Sequence, residues 1–149
     1  MSVIESKRDL SRMQYVKIAQ DLLKFTTQQC LKLPKRLTFF ISTDLVKTAQ
    51  EIYKAVLQIR SYYSRDGVSR KKLDLCDLVL ARLDYLASML DILHIYAPIQ
   101  EPDKVNKNKR MIMTPKTFER WVALIDEETL LIKGLIKKEK ERLKVENTT

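Results

Sequence analysis

The sequence predicts an all-α fold, an antiparallel up-down four-helix bundle forming one domain over residues 1–149. Three observations lead there. The chain holds only 2 Gly and 4 Pro, too few turn formers for a β-fold of this length. Apolar residues recur at steps of three and four, the spacing that lines one face of a 3.6-residue helix. These patterns fall into four segments, about 10–32, 43–63, 69–97 and 114–144, joined by two short connections and one longer one. At 45% hydrophobic and 32% charged residues, the composition is that of a globular chain able to bury a core.

In the first segment Tyr15, Ile18, Leu22 and Phe25 form one row, with Val16, Ala19, Leu23 and Cys30 beside it. Ser6 or Asp9 is placed to cap its start, and Pro34 ends it by forcing Leu33 out of the helical region. In the second, Leu45, Ala49, Ile52, Val56 and Ile59 share a face flanked by Val46, Tyr53 and Leu57, with Ser42 or Thr43 as N-cap and Asp44 near the positive helix end. Ser64–Gly67 supplies the following turn.

The third segment, capped by Ser69, is the longest apolar arc. Leu73, Cys76, Leu80, Leu83, Ala87, Leu90, His94 and Ala97 form its main stripe, and Leu75, Val79, Leu86, Met89 and Leu93 flank it. An arc this wide needs more than one neighbouring helix. Residues 98–113 form the longest connection. Thr114-Pro115 restarts the helix as N-cap and first helical residue, with Met113 and Phe118 placed as a hydrophobic staple. Phe118, Trp121, Val122, Ile125, Ile132, Leu135 and Ile136 line the fourth segment, Trp121 at core spacing.

The residues for catalysis or metal binding are missing in pattern. His94 is the single histidine and has no Glu-x-x-His partner of the kind that bundle metal sites use. The acidic groups Asp74 with Asp77, and Asp126 with Glu127 and Glu128, read as solvated outer faces. Two glycines cannot build a phosphate loop. The expectation is a non-enzyme with no catalytic residue, metal or cofactor. Cys30 and Cys76, on apolar faces without C-x-x-C spacing, read as buried thiols of a reducing compartment. Charges interrupt every apolar run before membrane-span length, and residues 1–15 lack an apolar signal core, so the expected location is cytoplasmic with no membrane association.

A net charge of +9 favours polyanionic partners. In the alternating bundle Lys35 and Arg36 share one end with Lys107, Lys109 and Arg110; Arg65, Arg70, Lys71 and Lys72 share the other. Few carboxylates offset these loops, so all nine are candidate phosphate contacts to RNA or DNA. No base-reading motif accompanies them. Tyr62-Tyr63 beside Arg60 and Arg65, and Phe39-Phe40 beside Lys35 and Arg36, either stack bases, engage a partner or close the core. Two adjacent phenylalanines cannot both point inward, which leaves one for a subunit contact.

Leu33-Pro34-Lys35-Arg36 followed by Phe39-Phe40-Ile41, the second helix LVKTAQEIYKAVLQI and the leucine-spaced third helix carry a family resemblance. Over about residues 10–135 the chain resembles the small bacterial four-helix-bundle family that includes the protein encoded in intervening sequences of 23S rRNA genes. The same family includes the accessory variability determinant (Avd) of diversity-generating retroelements. The resemblance implies a basic homo-oligomer, a ring-like pentamer. For the Avd branch it implies binding to a reverse transcriptase and its template RNA in support of mutagenic retrohoming. The alternative reading is a protein-interaction or rRNA intervening-sequence-encoded structural bundle with no direct nucleic-acid role.

Overall fold

The computed structural model describes the backbone of residues 3–62, 67–96 and 113–148, and the side chains of residues 13–62, 67–96 and 113–145. Four long helices dominate the described residues: α1 (Val3–Lys32), α2 (Thr43–Ser61), α3 (Ser69–Tyr96) and α4 (Pro115–Thr148). A 3₁₀ turn (Lys35–Leu37) and a π-helical turn (Thr38–Ser42) join α1 to α2. α1 packs on α2, α2 on α3, α3 on α4, and α1 again on α4. Each helix thus covers its apolar face with two principal neighbours, which is what the wide arcs require.

The core runs the length of this packing. Leu22, Ile41, Leu45, Ile52, Leu83, Leu86, Leu90, Leu93, Trp121, Leu124 and Ile132 are fully enclosed. Burying a Leu or Ile side chain contributes about 1.5–3 kcal/mol. Trp121 satisfies its indole N–H on the Thr26 hydroxyl at 3.0 Å and meets Phe25 edge to face at 5.8 Å, a polar and an aromatic contact between α1 and α4. Cys30 and Cys76 are both buried free thiols; burial pushes them up to about 11 and about 12 respectively, which leaves them inert.

The helix ends agree with expectation at one cap and depart, wholly or in part, at three. Thr114 is the N-cap of α4: its hydroxyl accepts the Thr117 N–H at 3.2 Å and its carbonyl the Phe118 N–H at 3.1 Å. Met113 and Phe118 both join the core, as a staple would. α1, however, starts at Val3, so Ser6 and Asp9 lie within the helix rather than at its cap. Glu5, Lys7, Arg8 and Leu10 are all good helix formers, and nothing before Pro34 stops them. Ser42 stands at the N-cap position of α2, as expected, but it is itself helical (φ −57°, ψ −45°) and its side chain makes no cap bond; the Thr43 N–H bonds the Thr38 carbonyl of the preceding turn. Val68, one residue before Ser69, receives the first turn of α3 by accepting the Lys72 N–H at 2.9 Å.

The buried face of α3 is also rotated from the expected stripe. Cys76, Val79, Leu83, Leu86, Leu90 and Leu93 are buried, whereas Ala87 and His94 are exposed. His94 lies 6.4 Å from the Phe118 ring at the start of α4. The centre of the core falls between the two predicted rows, so the outer edge of the main stripe faces solvent.

Candidate nucleic-acid interface

Lys35 and Arg36 lie in the link between α1 and α2. Pro34 (φ −58°, ψ 145°) ends α1, and the Leu37 N–H returns to the Pro34 carbonyl at 2.9 Å. Leu33, Leu37 and Ile41 are buried and pin this link to the core. Lys35 and Arg36, between those anchors, face solvent. The π turn that follows is closed by Thr43, whose N–H and hydroxyl both donate to the Thr38 carbonyl, the hydroxyl at 2.9 Å. Phe39 and Phe40 sit on its outer side, 92% and 71% exposed. Neither enters the core.

Arg70 and Lys71 are exposed on the first turn of α3. Lys72 corrects the expectation made for it. It is buried, and its Nζ lies 3.2 Å from Glu139 Oε1 on α4. The reason is angular: Ser69, Lys72, Cys76 and Val79 follow one another at steps of three and four and are all buried, so Lys72 lies on the core face of its helix. Arg142 reaches the same Glu139 oxygen at 3.3 Å. Lys72 holds two helices together and is not offered to a phosphate. Arg65, Lys107, Lys109 and Arg110 fall outside the described residues, as do Tyr63 and the 98–112 connection.

Beside the Lys72–Glu139 pair lies a cavity of about 320 Å³, lined among others by Tyr15, Ile59, Cys76, Gly134 and Lys138. Glu139 Oε2 has no hydrogen-bond partner among the described residues. Of the acidic groups expected on outer faces, Asp74, Asp77, Asp126 and Glu127 are exposed. Glu128 is wholly buried, and neither of its carboxyl oxygens has a partner among the described residues. Burial, aided by the neighbouring Glu127 charge, pushes its carboxyl up to about 8, so it is the neutral acid that occupies the core at neutral pH. The signal was present in the sequence, since Trp121, Leu124, Ile125, Glu128 and Ile132 share one face at helical spacing. No group of three or more metal-ligating side chains occurs among the described residues.

A second surface had no counterpart in the expectations. Leu78, Ala81, Tyr85, Ser88, Ile92 and Ile95 are all exposed on α3, at alternating steps of three and four. That is the spacing of a coiled-coil seam, lying on the outside of the packed helices. Within the described residues no helix is long and apolar enough to cross a membrane.

Compared with family models, curated proteins and solved structures, the chain has no match to any of them.

Proposed function

We propose that the chain is a non-catalytic, Avd-like accessory protein that binds RNA or DNA, and a reverse transcriptase, through basic surfaces of an oligomeric bundle. The observation that carries the nucleic-acid part is the α1–α2 link. Lys35, Arg36, Phe39 and Phe40 are turned outward together, between residues anchored in the core. The reverse transcriptase and the pentamer come from the family resemblance, as does the role in mutagenic retrohoming. A cytoplasmic location belongs to the same reading.

The antiparallel up-down order is part of the proposal. It is supported at one end by Thr26 with Trp121 and His94 with Phe118, and at the other by Lys72 with Glu139. The outer seam Leu78–Ile95 supports the homo-oligomer, because an exposed heptad-spaced row is most readily covered by another helix. The same seam favours the second reading, a bundle that docks a partner protein and has no direct nucleic-acid role.

Salt-titrated binding to RNA and to duplex DNA, with mass read by light scattering, separates the two. Alanine at Lys35, Arg36, Arg65, Arg70, Lys71, Lys107, Lys109 and Arg110 should weaken binding. It should also lower the slope of log K against log salt by roughly 0.7–0.9 for each phosphate that is no longer neutralised. An unchanged slope, or a monomer with no nucleic-acid affinity, refutes the accessory reading and leaves the protein-docking bundle.

A further inference from the structure

We infer that Phe39 and Phe40 form a stacking platform for unpaired bases, so that the link between α1 and α2 takes single-stranded rather than duplex nucleic acid. The inference rests on the nucleic-acid reading above and narrows its ligand. Two phenyl rings 92% and 71% exposed remain in water where each could bury apolar area, and the chain does nothing local to hide them. The exposure is built in. Leu37 and Ile41 are buried on either side, and Thr43 fixes the intervening π turn through two bonds to one carbonyl, so the rings stand on a held backbone.

The charge around the rings selects the occupant. No Asp or Glu occurs between Asp21 and Asp44, while Lys24, Lys32, Lys35 and Arg36 all do. Lys32, Lys35 and Arg36 are exposed. A second copy pressing the same patch would set these cations against their own counterparts, a like-charge contact. A polyanion neutralises them. The side chains of adjacent residues diverge, so the two rings offer two separate faces. Each can take an unstacked base; neither can reach a base inside a duplex without opening it. Exposed aromatic rings interleaved with cations are the recognised physics of sequence-tolerant single-strand binding.

The test compares three probes of matched backbone charge: unstructured poly-uridine RNA, the same length of abasic strand, and a fully paired RNA duplex. The wild-type protein should prefer the uridine strand to both others. Phe39→Ala and Phe40→Ala should each weaken uridine binding about 5- to 100-fold and leave the salt slope unchanged, whereas Lys35→Ala with Arg36→Ala should lower the slope. Phe39→Trp should keep the affinity, and its added emission should be quenched by the uridine strand and not by the abasic one. Binding of equal strength to all three probes, untouched by the phenylalanine changes, overturns the stacking inference and leaves the nucleic-acid reading standing. No binding to any probe at low salt defeats that reading itself. A change of oligomeric mass in the Phe→Ala variants also overturns the inference, because the rings would then belong to a subunit contact.

Discussion

Glu128→Gln is a near-isosteric change that removes one titrating group from the middle of the core. In the folded chain this carboxyl is raised from about 4.5 to about 8 by burial, so between those values the folded state holds a proton that the unfolded state has released. Unfolding free energy therefore falls as pH rises through that window, by about 1.4 kcal/mol per pH unit. The contribution is fully present below about pH 4.5 and lost once pH passes about 8. Its total is on the order of 5 kcal/mol, a large share of the 5–15 kcal/mol typical of a domain. Urea unfolding followed by far-UV circular dichroism, at fixed protein concentration and a series of pH values, measures the slope. Wild type should lose stability from about pH 5 to about pH 8, and Glu128→Gln should be nearly flat there. A wild-type profile without slope, or the same slope in the glutamine variant, would refute the assignment of a neutral acid at this position.

The Lys72–Glu139 pair and Gly134 give two simpler tests by the same denaturation assay. Lys72→Met should cost about 3 kcal/mol, the low end for a broken buried pair because Arg142 still bonds Glu139; adding Glu139→Leu should recover most of that cost. Gly134→Ala should stabilise by about 0.5–1 kcal/mol, since the glycine is mid-helix, exposed, and a Cβ there meets nothing within 4 Å. A drop in stability on Gly134→Ala would mean that this face of α4 is covered in solution.

Much of the helical organisation was legible in the sequence because long amphipathic segments state their own period. Spacing alone places Trp121 in the core, and capping chemistry places the start of α4 at Thr114-Pro115. Lys72 and Glu128 depart from expectation for a common reason: charge type suggests an outer face, whereas helical register puts each among buried neighbours. A buried charge survives if it is paired or neutral, and Lys72 takes the first route and Glu128 the second. The outer seam of α3 has no place in the expectations because Leu78, Tyr85, Ile92 and Ile95 belong to neither apolar row and stand on the side of the helix away from the core. Within the arc itself, only the rotation of α3 set by where α2 and α4 pack decides that the Ala87 and His94 edge is left outside. The start of α2 at 43 is legible, but nothing in residues 38–42 marks them as a π turn, and that turn holds Phe39 and Phe40 away from the core.

The bond from Trp121 to Thr26 spans 95 residues, and it bears on the order in which the molecule assembles. Contacts between consecutive helices close short loops, but the α1–α4 contact must wait for the greatest loss of chain entropy, which grows with the logarithm of loop length. If consecutive helices pair first, this contact forms after the rate-limiting barrier. Weakening it by Thr26→Ala would then speed unfolding and barely slow folding. The tryptophan would in that case act as a latch, setting how long the ring of helices stays shut and having little say in how quickly it closes.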